Sequence, residues 1–419
     1  MKDMVTKMEF IYKKWFKTNN KHEIDRFYQK RFQGESTIQT GLKIKPKNFP
    51  TPFELYYIPT NAIFLKIETI YHNDTKLRAY DSFLPGIAKK NFLVNLIAEE
   101  LNSSNKIEGV KSNKQEIAES TKKIMTGTIP SKMRLSSMIK SYLKLQDDSL
   151  NLPQQPEDIR KIYDYITKGE ISDDNLPDGV LFRKDGVDIY NENASKTIHE
   201  GIAGEKEILS HLEILLAMLN QSHLPFLVKL AIGHYYFGYI HPFYDGNGRT
   251  GRFLTSLYLS KTFSIYTAYA LSNGCRLTHR KYLDLFHRTN GFNNYGELNF
   301  AIDTFLDILI AGQDFVLEDL EEKTSALRQA EEKIDEHFSP DATLAKNILF
   351  LFYQQHLFDN GTLEKNALAP LLKEAFKDIS SKSKISDCLN VLETKGYLTK
   401  VKQKPLTYGF NEARFYSPH

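Results

Sequence analysis

The chain has 419 residues, 41% of them hydrophobic, and a formal net charge of +3. That is enough material for two or three domains with real cores, and so balanced a charge points to neither nucleic acid nor a membrane surface by bulk electrostatics. Cys275 and Cys388, far apart in sequence, offer no disulfide framework and no zinc site and fit a reducing compartment. The N-terminal stretch lacks a sustained apolar core and no run of 18 apolar residues occurs, so the expectation is a cytoplasmic protein with no signal peptide and no membrane partner.

Residues 1–88 carry little signal. Lys14 to Arg31 is charged and aromatic, and NAIFLKIETIYH at 61–72 fits a strand or a helix. An N-terminal extension packing on the core is expected. From Asn91, the residues Leu93, Leu96, Ile97 and Leu101 recur at helical spacing, and Gly109 would stop or bend that helix. Residues 113–170 read as helical, with KQEIAESTKKIM and SKMRLSSMIKSYLKLQ as core helices and Pro153 and Pro156 marking a loop. The period then changes. Val180–Arg183, Lys184–Gly186 and Val187–Tyr190 read as strand, turn and strand, because Asp-Gly is a strong hairpin signal. Helices are expected over Glu205–Leu219 and Leu224–Ile240. The second is apolar nearly all round, so it should be buried, and it delivers His241 at its C-terminal end.

His241 opens HPFYDGNGRTGR, which packs a histidine, a carboxylate, an amide, three glycines and two arginines into residues 241–252. Glycines let backbone N–H groups approach anionic oxygens, and successive N–H groups form an anion-binding concavity. The residues after the turn look helical, so a helix N-terminus would face the same anion. Arg249 and Arg252 are three apart and can lean over one ligand. Asp245 is a hard oxygen ligand suited to Mg2+ on phosphates, and His241 is the natural general base. A plain connector needs no such set at fixed offsets. A metal-dependent phosphohydrolase on His234, His241 and Asp245 is disfavoured, because the spacing of the histidines is poor for one helical face. His234 reads instead as a hydrogen-bonded structural residue. His211 and Glu213 form an H-x-E string, but no Pro-Cys-x-x-Cys follows, which excludes a zinc deaminase.

The stretch resembles the Fic-domain signature HxFx(D/E)GNGRxxR at every fixed position: His241, Phe243, Asp245, Gly246, Asn247, Gly248, Arg249 and Arg252. The resemblance covers roughly residues 90–310. It implies a mainly α fold, a Fic-type helical bundle with a small β-hairpin flap. It also implies transfer of AMP from ATP to a Ser, Thr or Tyr hydroxyl of a protein, the chain itself included. In that reading His241 takes the proton, Asp245 holds Mg2+, and Asn247 with the amides around Gly246 and Gly248 steadies the α-phosphate. Arg249 holds the β-phosphate and Arg252 the γ-phosphate. Ser104 to Gly109 resembles the family's inhibitory motif, (S/T)xxxE(G/N), with Ser104 and Glu108 on one helical face. It implies that Glu108 pairs with Arg252 and occupies the space the γ-phosphate needs, in an inhibitory helix of about residues 91–108. The family's flap would dock a protein substrate near 180–190. Tyr282 is the candidate to lie against the adenine, core packing being its other explanation.

The resemblance places the catalytic domain at 89–315. A charged connecting helix is expected over 316–339, and three helices with two short strands over 340–419 resemble a winged helix. Lys382, Lys384, Lys400, Lys402 and Lys404 could touch DNA phosphates there, or simply be solvated. Two alternatives to AMP transfer follow. One is removal of AMP by a Glu108-oriented water, and the other is a DNA-binding regulator whose Fic domain senses nucleotide. A homo-oligomer is compatible with everything above.

Overall fold

The computed structural model describes residues 8–18, 20–127, 134–190, 197–359 and 361–417. The protein is mostly helical with small antiparallel sheets, and it divides into two compact units. The first comprises residues 1–75 and 97–315, the second residues 76–96 and 316–419.

The first unit is built around the helix Phe226–Ile240. Its sequence has almost no polar face, and all its residues from Leu227 to Ile240 except Lys229 and Gly238 are buried, as the nearly all-round apolar pattern requires. Helix Glu205–Gln221 packs Ile208, Leu212, Leu215 and Leu219 into the same core. Pro242 ends the central helix, and His241 caps it in a left-handed conformation with φ 51°. Gly246, at φ 83°, then turns the chain into the helix Asn247–Ser260. Two flanking helices complete the cradle. Ser136–Gln146 starts just after the part of its expected run, 131–133, that lies outside the described residues. Pro156–Thr167 stacks Tyr163 on Phe243 of the motif loop at 3.7 Å between ring centroids.

The ambiguous stretch 61–72 belongs to a helix, Asn61–Phe83. Before it, Ile38–Ile44 and Phe53–Tyr57 pair antiparallel and bury Leu42, Ile44, Leu55 and Tyr57 in the main core. The N-terminal helices Ile11–Thr18 and Lys21–Phe32 are fastened by a buried pair: Arg31 donates to Glu297, which also accepts the Ile11 N–H at 3.2 Å.

One expected element is placed differently. Val180–Arg183 is not a strand. Val180, Leu181 and Phe182 give their N–H groups to the Glu205 carboxylate, and Arg183 gives its own to the Pro242 carbonyl, so their donors go elsewhere than to a ladder. The hairpin forms one step later, with Asp188–Tyr190 antiparallel to Thr197–Glu200 and residues 191–196 outside the described set.

The second unit holds helices Thr343–Phe358, Lys365–Phe376 and Lys382–Thr394 and a three-stranded antiparallel sheet. Leu406–Phe410 is central, flanked by Thr362–Glu364 and Leu398–Gln403. Leu349, Phe352, Leu368, Leu389 and Leu392 are fully buried. Glu412–Tyr416 is a short helix, capped by the Asn411 side chain, which accepts the Arg414 N–H. The charged stretch expected as a separate connector is the second half of one helix, Asn299–His337.

Candidate active site

The end of the central helix, the glycine turn and the start of the next helix line a pocket of about 230 Å³. Glu108, His199, His234, His241, Asn247, Gly248 and Tyr282 face it together with Phe237, Leu283 and Phe286. The lining is therefore mixed, polar and apolar.

His241 is among the lining residues. Burial pushes its imidazole down to about 3, and the neighbouring His199 and Arg183 act in the same direction. The ring is thus in the form that accepts a proton throughout the neutral range. Asn247 faces back into its own loop: its side-chain oxygen accepts the Phe243 N–H at 2.9 Å and its NH2 donates to the Phe243 carbonyl at 2.8 Å. In this structure that amide shapes the turn, and what Asn247 can offer a ligand is its backbone. Asp245 is partly exposed, and one of its oxygens accepts the Gly246 N–H. Gly248 has no room for a side chain, since an added Cβ would lie 2.1 Å from Glu108 Oε1.

The two arginines differ sharply. Arg249 is 1% exposed, and none of its three guanidinium nitrogens has a hydrogen-bond partner among the described residues. Its nearest carboxylate contact is Asp245 at 3.5 Å. A buried cation this poorly satisfied is unusual, because leaving charged donors unpaired is expensive. Arg252 is fully occupied. It pairs with Glu108 at 2.9 Å, and it donates from Nε to Ser104 Oγ at 3.0 Å and from Nη2 to the Ser104 carbonyl at 2.9 Å. Burial opposes its charge, but Glu108 together with Tyr282 and Cys275 more than offsets that, so the guanidinium lies above its ordinary value.

Tyr282 is tied into the same arrangement. Arg252 Nη1 reaches its hydroxyl at 3.5 Å, and that hydroxyl lies 3.2 Å from His234 Nε2. The Thr255 hydroxyl donates to the Gly251 carbonyl, so it accepts from His234 Nδ1 at 2.8 Å, which leaves Nε2 to accept from Tyr282. Burial, reinforced by Arg252, pushes His234 down to about 3, and the ring is a neutral structural link as its place in the sequence suggests. Among the described residues no three His, Cys, Asp or Glu side chains cluster to hold a metal.

Residues 153–259 match the model of the Fic/DOC family. That segment is a Fic domain. The chain's fold is similar to a Fic family protein from Desulfovibrio desulfuricans G20, at 18% identity and TM-score 0.50 over 85% of this chain and 98% of that one. It is also similar to a Fic-domain-containing signaling protein from Bacteroides thetaiotaomicron VPI-5482, at 18% identity and TM-score 0.40 over 61% and 97% of the two chains. Fic-domain proteins generally transfer AMP or other nucleotidyl groups to proteins.

Two residues of the Fic domain escaped the reading of the sequence. Glu205 collects three consecutive N–H groups from residues 180–182, and Gly179 leaves space for its carboxylate. Arg183, fully buried, lies against the backbone of the motif loop. Their partners are main-chain atoms, which no motif spells out.

Proposed function

We propose that this protein is an autoinhibited adenylyltransferase, moving AMP from ATP to a hydroxyl of a protein. The observation that carries it is the contrast between the arginines. Arg249 is buried with no hydrogen-bond partner, and Arg252 beside it is held by Glu108. A polyphosphate answers the first at once and the second only after Glu108 leaves. His241 then takes the hydroxyl proton as general base, and the hydroxyl oxygen attacks the α-phosphorus while pyrophosphate leaves. The backbone amides at the start of helix Asn247–Ser260 face the charge that develops on the α-phosphate. Asp245, a partly exposed carboxylate in the motif loop, suits Mg2+, which is commonly held by one or two carboxylates plus substrate phosphates and would neutralise phosphate charge when bound.

The test is labelling with α-labelled ATP and Mg2+ using wild type, Glu108→Gly and His241→Ala. Glu108→Gly should label itself or a lysate protein strongly, wild type weakly and His241→Ala not at all. His241→Ala labelling as well as wild type would refute the assignment of the base. Loss of label from a pre-modified protein on adding wild type, absent with Glu108→Gly, would favour AMP removal, for which Glu108 stands in the right pocket.

A further inference from the structure

A helix leaves its last carbonyls without intrahelical partners. At the end of the central helix four consecutive carbonyls point at residues that come before it in the chain. His199 Nε2 donates to the Tyr239 carbonyl at 2.7 Å. The Ile202 N–H donates to Ile240 at 3.2 Å. Arg183 supplies the rest: Nη2 to the Ile240 carbonyl at 3.3 Å, Nε to the His241 carbonyl at 2.8 Å, and its backbone N–H to Pro242 at 3.3 Å. Its Nη1 bonds the Asp185 carbonyl, just before the hairpin strand Asp188–Tyr190. Gly201 makes the space, since a Cβ there would lie 2.6 Å from Arg183 Nη2 and 3.1 Å from His241 Cβ.

We infer that Arg183 is a positioning residue for His241, its guanidinium bridging the carbonyls of Ile240, His241 and Asp185 so that the left-handed backbone at His241 aims the imidazole into the pocket. Three features separate this from ordinary core packing. The side chain is 0% exposed, yet its hydrogen bonds go to carbonyl oxygens and no carboxylate pairs with it among the described residues. A rigid guanidinium fork reaches three separated acceptors from three different nitrogens, whereas an ammonium would have to serve them all from one nitrogen. A cation at a helix C-terminus also meets the negative end of the dipole. Burial lowers Arg183 to about 10, so it stays charged at neutral pH. Around His241 the charged and titratable groups are Arg183 and His199 on the hairpin side, and Glu108, His234 and Tyr282 in the pocket. Of these Arg183 is the fixed cation that also grips the His241 backbone.

The role rests on the proposed AMP transfer for its catalytic meaning but not for its first readout. In the full chain, with histidines 13C-labelled at Cε1 and the His241 signal identified by its loss in His241→Gln, the imidazole should titrate below about pH 5. Arg183→Met should raise that midpoint by about one unit. An unchanged midpoint in Arg183→Met overturns the inference. If the Met variant does not fold, Arg183→Lys in the Glu108→Gly background decides. Charge is kept but the bridge is lost, so turnover should fall about tenfold or more at unchanged KM for ATP, and wild-type turnover overturns it. A raised midpoint in Arg183→Met with no labelling by Glu108→Gly would sink the transferase reading and leave the positioning role standing.

Discussion

At the scale of single residues, His241 is the group whose chemistry depends most on its surroundings. A free imidazole would begin to protonate near pH 6.5 and lose its function as a base. Here burial and the neighbouring His199 and Arg183 hold the folded value near 3, so the basic form persists well below neutrality. The rate of label transfer by Glu108→Gly should therefore stay level from pH 8 to about 5, and an acid limb centred near 6.5 would show an unperturbed base. The motif residues were legible because phosphate chemistry restricts which side chains can stand at those offsets. Arg183 and Glu205 were not, because each serves backbone groups, and the sequence spells side chains alone. Asn247 illustrates the limit from the other side: its place in the motif was clear, but its side chain is spent on Phe243.

At the scale of elements, the segment carrying Ser104 and Glu108 is the C-terminal end of helix Gly86–Ile107 and the turn after it. Within the first unit that end rests on the helix Leu271–Leu277. Arg276 donates to Ser103 Oγ at 3.0 Å and pairs with Glu99 at 3.3 Å, and the Ser272 N–H reaches Glu100 at 2.7 Å. These contacts stand apart from the groups proposed to face phosphate and fix the helix end that leads into Glu108. Arg276→Ala should loosen the helix end, speed hydrogen exchange at residues 97–108 and raise wild-type labelling several-fold. Unchanged exchange would mean that Glu99 and Lys114, paired at 2.8 Å, suffice. The helices here were readable from their apolar spacing. The hairpin was not fully so: Asp185–Gly186 signalled a turn, but the pairing moved to Asp188–Tyr190 because Glu205, distant in sequence, claims the N–H groups of 180–182.

At the scale of the whole molecule, pH enters through histidines that folding keeps neutral. His199 and His234 are buried, with values lowered to about 4 and about 3 by burial. Unfolded, both would take a proton near 6.5, so the unfolded state binds more protons than the folded state below that pH. Their contribution is fully present above pH 6.5 and is lost as pH falls toward 4, by up to about 2 kcal/mol each at pH 5. Buried Glu100, raised to about 8 by burial, works in the opposite sense and takes stability away as pH rises from 4.5 to 8. Urea unfolding at pH 5, 6.5 and 8 should thus show His234→Gln flattening the acid side and Glu100→Gln the alkaline side. A Glu100→Gln curve parallel to wild type would show that the carboxyl is not held protonated.

On the proposed reading, the pairing of Arg252 with Glu108 would also divide nucleotides by length. A molecule closed 99 times in 100 binds whatever needs the open form about a hundredfold more weakly than its intrinsic affinity, while a ligand indifferent to the two forms suffers no such penalty. On the proposed reading a triphosphate needs Arg252 and a diphosphate does not. The latch would then act as a filter on the nucleotide tail, favouring occupancy by a nucleoside diphosphate and leaving the triphosphate to whichever event first draws Glu108 away.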